Sequence, residues 1–161
     1  MSHFEEVTTE YTDPHLVVEA IKKAFPFMTS VEVASDFEFD GSTVICRGYH
    51  GATATRGPNG NPIKIVGRTP NNYDLGFALG KDGAYALVSD WGGYGYGFLA
   101  NSEVKDAIAM DRDDTEKTLG EQEDYNATEI KEAMTNYPSR QQAIMGMLSR
   151  GYTMAVAEEC V

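Results

Sequence analysis

Two apolar runs, Tyr73–Leu79 and Ala84–Trp91, flank Lys81-Asp82-Gly83, and no other feature of the chain narrows its fold so far. A three-residue hairpin connection takes a type I turn followed by a left-handed residue, the place for Gly83. With that loop, Gly80 faces Ala84. Leu79, Phe77, Leu75 and Tyr73 then pair with Tyr85, Leu87, Ser89 and Trp91 on one face, which is nearly all apolar. The other face carries Gly76, Ala78, Gly80, Ala84, Ala86 and Val88 and ends with Asp74 opposite Asp90. A slip of one residue mixes the two sets, so the alternation selects this register.

Directly opposed side chains sit roughly 4.5–5.5 Å apart at Cβ, and like charges there are destabilising. Something must relieve Asp74 and Asp90. A cation from the chain is one possibility, with Arg47 the first choice, and loop N–H groups are another. A divalent metal with oxygen ligands and a shared proton with one raised pKa are the others. The small residues on that face leave room for a helix backbone to approach closely.

The remaining elements follow from spacing and caps. Ser2–Thr12 reads as a strand, and Asp13-Pro14 opens a helix with Asp at N-cap and Pro at N1. Leu16, Val17, Ala20, Ile21, Ala24 and Phe25 recur at helical spacing until Pro26. Val31–Phe39 alternates, with Val31, Val33, Phe37 and Phe39 on one side; Asp40-Gly41 is a turn signal, and Thr43–Arg47 is its partner strand. The Gly- and Asn-rich segment 48–62 is a loop, and Ile63–Val66 is a short strand. Ser102–Met110 is a helix and 111–125 an acidic mobile loop. Asn126 and Glu129 form a capping box for a helix to about Asn136. Ser139 with Gln142 starts another, stopped by Gly151, and Tyr152–Ala157 is a weak last strand. The expected fold is α+β: a mainly antiparallel sheet of about six strands with helices packed on one face, in one domain spanning 1–161.

With 161 residues, 42% of them hydrophobic, the chain can build one real core. No apolar run approaches the ~20 residues of a membrane-spanning helix, and the N-terminus has neither the basic nor the apolar region of a signal peptide. Cys46 and Cys160 form no CxxC pair. A reducing, cytoplasmic location follows as the expectation. The net charge of −12 repels phosphate backbones and anionic lipid, so direct nucleic-acid binding and membrane association are disfavoured, and basic partners are favoured.

Motifs for chemistry are sparse. His50 lies in a loop with Arg47, Tyr49 and Arg56 and is a possible acid–base group. The three histidines show no HxH or HExxH spacing. Cys46 has no activating base beside it in sequence. Gly92–Gly97 lacks the Gly-Lys-Ser/Thr of a phosphate loop; with Tyr94, Tyr96 and Phe98 it reads as a flexible aromatic stretch able to meet a partner. Counting an EF-hand from Asp111 puts Glu116 where Gly is needed and Gln122 where Glu is needed, so that pattern fails. No cofactor or metal is implied.

Met1-Ser2-His3-Phe4, Arg47-Gly48-Tyr49-x-Gly51, Tyr73-Asp74-Leu75-Gly76-Phe77 and Leu87-Val88-x-Asp90-Trp91 come in the order found in a family known as hypothetical chloroplast reading frame thirty-five. The motifs span most of the first 100 residues and are fairly specific taken together; the last third resembles the family only loosely. The family is a domain of unknown function found in cyanobacteria, plastids and some phages. The resemblance implies such a source, and it implies no catalytic residues.

These readings lead to a non-enzymatic binding or regulatory protein acting through protein–protein contacts or self-association. Its ligand- or partner-binding residues would be Arg47, Tyr49, His50, Asp74, Asp90, Trp91, Tyr94 and Tyr96. Two alternatives remain open. One is a small-ligand or metal-dependent enzyme centred on Arg47, His50, Asp74 and Asp90. The other is an acidic, phage-type decoy of a basic host protein.

Overall fold

A computed structural model describes residues 4–92, 96–122 and 124–159. Tyr94, Cys160 and His3 lie outside the described residues. The fold is an α+β mix, 43% helical and 21% strand.

The hairpin sets the frame. Its strands are β6 (Leu75–Leu79) and β7 (Tyr85–Asp90), and its register is Leu79↔Tyr85, Ala78↔Ala86, Phe77↔Leu87 and Gly76↔Val88. Gly83 closes the turn at φ 89°, a conformation Gly adopts without a Cβ penalty. Around the hairpin, β1 (Phe4–Thr8), β5 (Ile63–Arg68) and β2 (Ser30–Val33) complete a five-stranded antiparallel sheet in the order β1-β7-β6-β5-β2. A separate two-stranded ladder joins β3 (Cys46–Arg47) to β4 (Thr53–Ala54).

Helices cover one face. α1 (Pro14–Ala24) starts at Asp13, whose carboxylate accepts from the N–H groups of His15 and Leu16. α4 (Arg140–Glu159) packs along it. Val17, Ile21, Phe25, Ile144 and Leu148 meet Leu75, Phe77, Tyr85, Leu87 and Trp91 there in the main core. The hairpin's small-residue face is covered by strand, not by a helix. Cys46, Val44 and Ile63 pack on Ala78 and Val88, and a Cβ on Gly76 would sit 3.3 Å from the Cys46 sulfur. β6 and β7 are consequently buried on both faces.

Three expectations are corrected. The alternating run from Val31 leaves the sheet after Val33, and Thr43–Arg47 does not pair with it; β2 pairs with β5 instead. Asp36 causes the departure: its carboxylate accepts from the N–H groups of Glu38 and Ser42 and from Lys64 Nζ, a local network that competes with a ladder. Phe37, beyond the departure, is exposed, as is Val33 at the end of β2.

The acidic segment after Met110 is helical through residue 120, as part of α2 (Ser102–Gly120). Asp111 is anchored by the Tyr137 hydroxyl and by the Arg150 guanidinium, contacts that sequence spacing does not display. α3 (Ala127–Thr135) follows, with the expected Asn126–Glu129 capping box.

Gly151 does not stop α4, and Tyr152–Ala157 is helix rather than strand. Gly151 marks the crossing with α1: a Cβ there would lie 2.8 Å from the Ala20 carbonyl oxygen. Close approach, not termination, is the reason for glycine.

Candidate functional site

β3 runs out of its short ladder into Gly48, and the two aspartates of the hairpin grip the chain on either side of that glycine. Arg47 donates its backbone N–H to Asp74 Oδ2 at 3.0 Å, and Tyr49 donates its backbone N–H to Asp90 Oδ2 at 3.0 Å. Alternate N–H groups of an extended strand point the same way, which is why one segment meets both acids. A Cβ on Gly48 would lie 3.1 Å from Asp90 Oδ2 and 2.7 Å from the Phe4 ring, so only glycine fits between.

The two carboxylates, both buried, have different partners. Asp74 also accepts from Arg47 Nε at 2.7 Å and Nη2 at 3.0 Å, from Arg68 Nη1 at 2.7 Å and from the Thr69 N–H at 3.2 Å. Burial opposes its ionisation, yet the hydrogen bonds from Arg47 and then Arg68 outweigh burial and hold its pKa below the usual carboxylate value. With Asp74 surrounded by donors, its oxygens are committed to the protein. Arg47 does not reach Asp90 and so does not bridge the pair. Arg68, absent from the sequence-based candidates, supplies the second charge; it comes from β5, and only the sheet order places it there. Asp90 Oδ1 has no hydrogen-bond partner among the described residues.

The aromatic candidates divide between the faces. The Tyr49 ring lies 5.1 Å from that of Tyr96 and 4.1 Å from the His50 imidazole. His50 is exposed and left-handed, at φ 53° and ψ 41°. Trp91 is buried on the helix side, edge-on to Phe98 at 5.7 Å. Arg56 turns away to the Gly60 carbonyl. Burial pushes the Cys46 thiol pKa up, Asp74 adds to the shift, and the thiol stays protonated. Among the described residues no group of three or more His, Cys, Asp or Glu side chains gathers around a metal position.

A second locus lies along α2, across the boundary between the expected helix Ser102–Met110 and the expected loop after it. A groove of about 430 Å³ runs between the end of α1, α2 and α4, with Phe27 and Met147 in its floor and Met110, Asp106 and Asp114 on its α2 wall. It continues along α4 past Gly151 to Met154. The signal in the sequence was the four-residue spacing of Asp106, Met110 and Asp114, obscured by the acidity of the segment around it. No family model matches the chain, and neither a curated protein nor a solved structure is significantly similar to it.

Proposed function

We propose that this chain is a non-enzymatic binding or regulatory protein that acts through contacts with another protein. The observation that carries this reading is α2. It is a 19-residue helix in which Val104 is the buried residue, and it presents Met110, 67% exposed, in an acidic surface. A helix so little used by its own core is available to a partner. The commitment of Asp74 to Arg47, Arg68 and Thr69 supports the same reading, because it makes the acid a strut of the fold. Membership in the chloroplast reading frame family, which the sequence motifs suggest, and a reducing compartment, which the free thiol of Cys46 suits, belong to this proposal.

Affinity purification of the tagged chain from its source cell, followed by mass spectrometry, tests it. Recovery of one stoichiometric protein partner is expected. Clean recovery of the chain alone removes the proposal and returns weight to a ligand at Asp90.

A further inference from the structure

The α2 groove has a definite chemical pattern. Residues four apart share a helix face, so Asp106, Met110 and Asp114 form a row of carboxylate, thioether and carboxylate along one wall. Opposite them are Phe27 and Met147, with Met154 further along α4. Met110 and Met154 are 67% and 55% exposed. Unbranched, polarisable methionines adapt to varied apolar side chains. The same lining holds Glu103, three residues before Asp106, and Asp111, three before Asp114; like charges one turn apart weaken a helix, and a cationic occupant relieves them. The cations at the rim are already engaged: Lys23 with Glu158 and Arg150 with Asp111.

These features select among occupants. A second copy would bring another net charge of −12 against the acidic wall. An apolar small molecule would bury carboxylates without pairing them. We propose that the groove receives a basic amphipathic helix from the protein partner, with large apolar side chains on Phe27, Met110 and Met147 and Lys or Arg at Asp106 and Asp114. This rests on the protein-binding reading and specifies its surface and the chemistry of its partner.

The test uses the full chain with carbon-13-labelled methionine methyls, titrated with a synthetic Leu–Lys amphipathic helical peptide and with a peptide of the same composition in scrambled order. Shifts at Met110 and Met147, with Met28 and Met134 unmoved, are expected for the amphipathic peptide alone. Met110→Ala is expected to weaken binding about tenfold. Asp106→Asn combined with Asp114→Asn is expected to weaken it by a similar factor of about ten and to reduce its salt dependence. Equal binding of the scrambled peptide, shifts centred elsewhere, unchanged affinity in the variants or no binding at all overturns the groove assignment. A cellular partner that binds the chain carrying Met110→Ala, Asp106→Asn and Asp114→Asn as well as it binds the unaltered chain removes the groove while leaving the protein-binding reading intact; an unaltered chain that binds neither peptide nor any cellular protein removes both.

Discussion

Arg47 holds Asp74 with its main chain and its side chain together: its N–H and Nε both donate to Oδ2, at 3.0 and 2.7 Å, and Nη2 donates to Oδ1. The Asp74 N–H returns a bond to the Arg47 carbonyl at 3.1 Å. The β3 segment is thereby fixed to the edge of the hairpin, with Arg68 as a second clamp.

Asp74→Asn leaves two guanidiniums facing a neutral amide. It is expected to cost about 3 kcal/mol, the low end for breaking a buried pair, because Arg47 remains 34% exposed. Asp90→Asn keeps an acceptor for the Tyr49 N–H and alters a carboxylate that has no ion pair among the described residues. Its cost is expected to stay below about 1 kcal/mol. Urea unfolding of both variants measures the contrast; equal losses would refute the different roles assigned to the two acids.

The same clamp makes stability depend on pH. Asp74 titrates below its ordinary value in the folded chain, against about 3.9 when unfolded. Its contribution is therefore complete above the unfolded value and is lost as pH falls through the folded one. Asp36 acts in the same direction, held low first by the Ser42 N–H, then by the Glu38 N–H and less by Lys64. The urea midpoint is expected to drop below about pH 4, and Asp74→Asn is expected to flatten that drop.

Gly151→Ala would ordinarily favour a helix by about 1 kcal/mol. At this crossing the new methyl meets the Ala20 carbonyl at 2.8 Å, and overpacking costs about 1–3 kcal/mol. A net loss of stability is expected, read as a lower melting temperature. A rise would show that α1 and α4 are not packed this closely.

His50 occupies the left-handed region at φ 53°. His50→Gly is expected to keep full stability, whereas His50→Val is expected to lose about 1–2 kcal/mol. Thermal melts of the two variants separate a backbone cause from a role for the imidazole, which would penalise both.

The legible parts of the sequence were those in which neighbours in the chain decide the structure. Tyr73 to Trp91 sorts into an apolar and a small-residue set, so the hairpin register could be read directly. Asp13 and the Asn126–Glu129 pair marked helix starts through local N–H groups. The unreadable parts depend on distant contacts. Asp36 captures Lys64 and turns an apparent strand into a loop. Asp111 finds Arg150 and Tyr137, and a presumed loop becomes helix. Gly151 looks like a stop until Ala20 is placed against it. In the candidate site, both aspartates and Arg47 were visible, and their convergence on one segment followed from the register. Arg68 was not visible, because only strand order brings β5 beside Asp74. The groove was hidden for a related reason: Phe27 comes from the turn after α1, Met110 from α2 and Met147 from α4.

The most direct test of a protein-binding role is in-cell photocrosslinking with benzoylphenylalanine placed at Met110, compared with the same group at exposed Thr43 on the far side of the sheet. The expected result is one discrete protein adduct from position 110 that is absent from position 43. No adduct from position 110, or the same adducts from both positions, would contradict the assignment of this helix as the partner-binding surface.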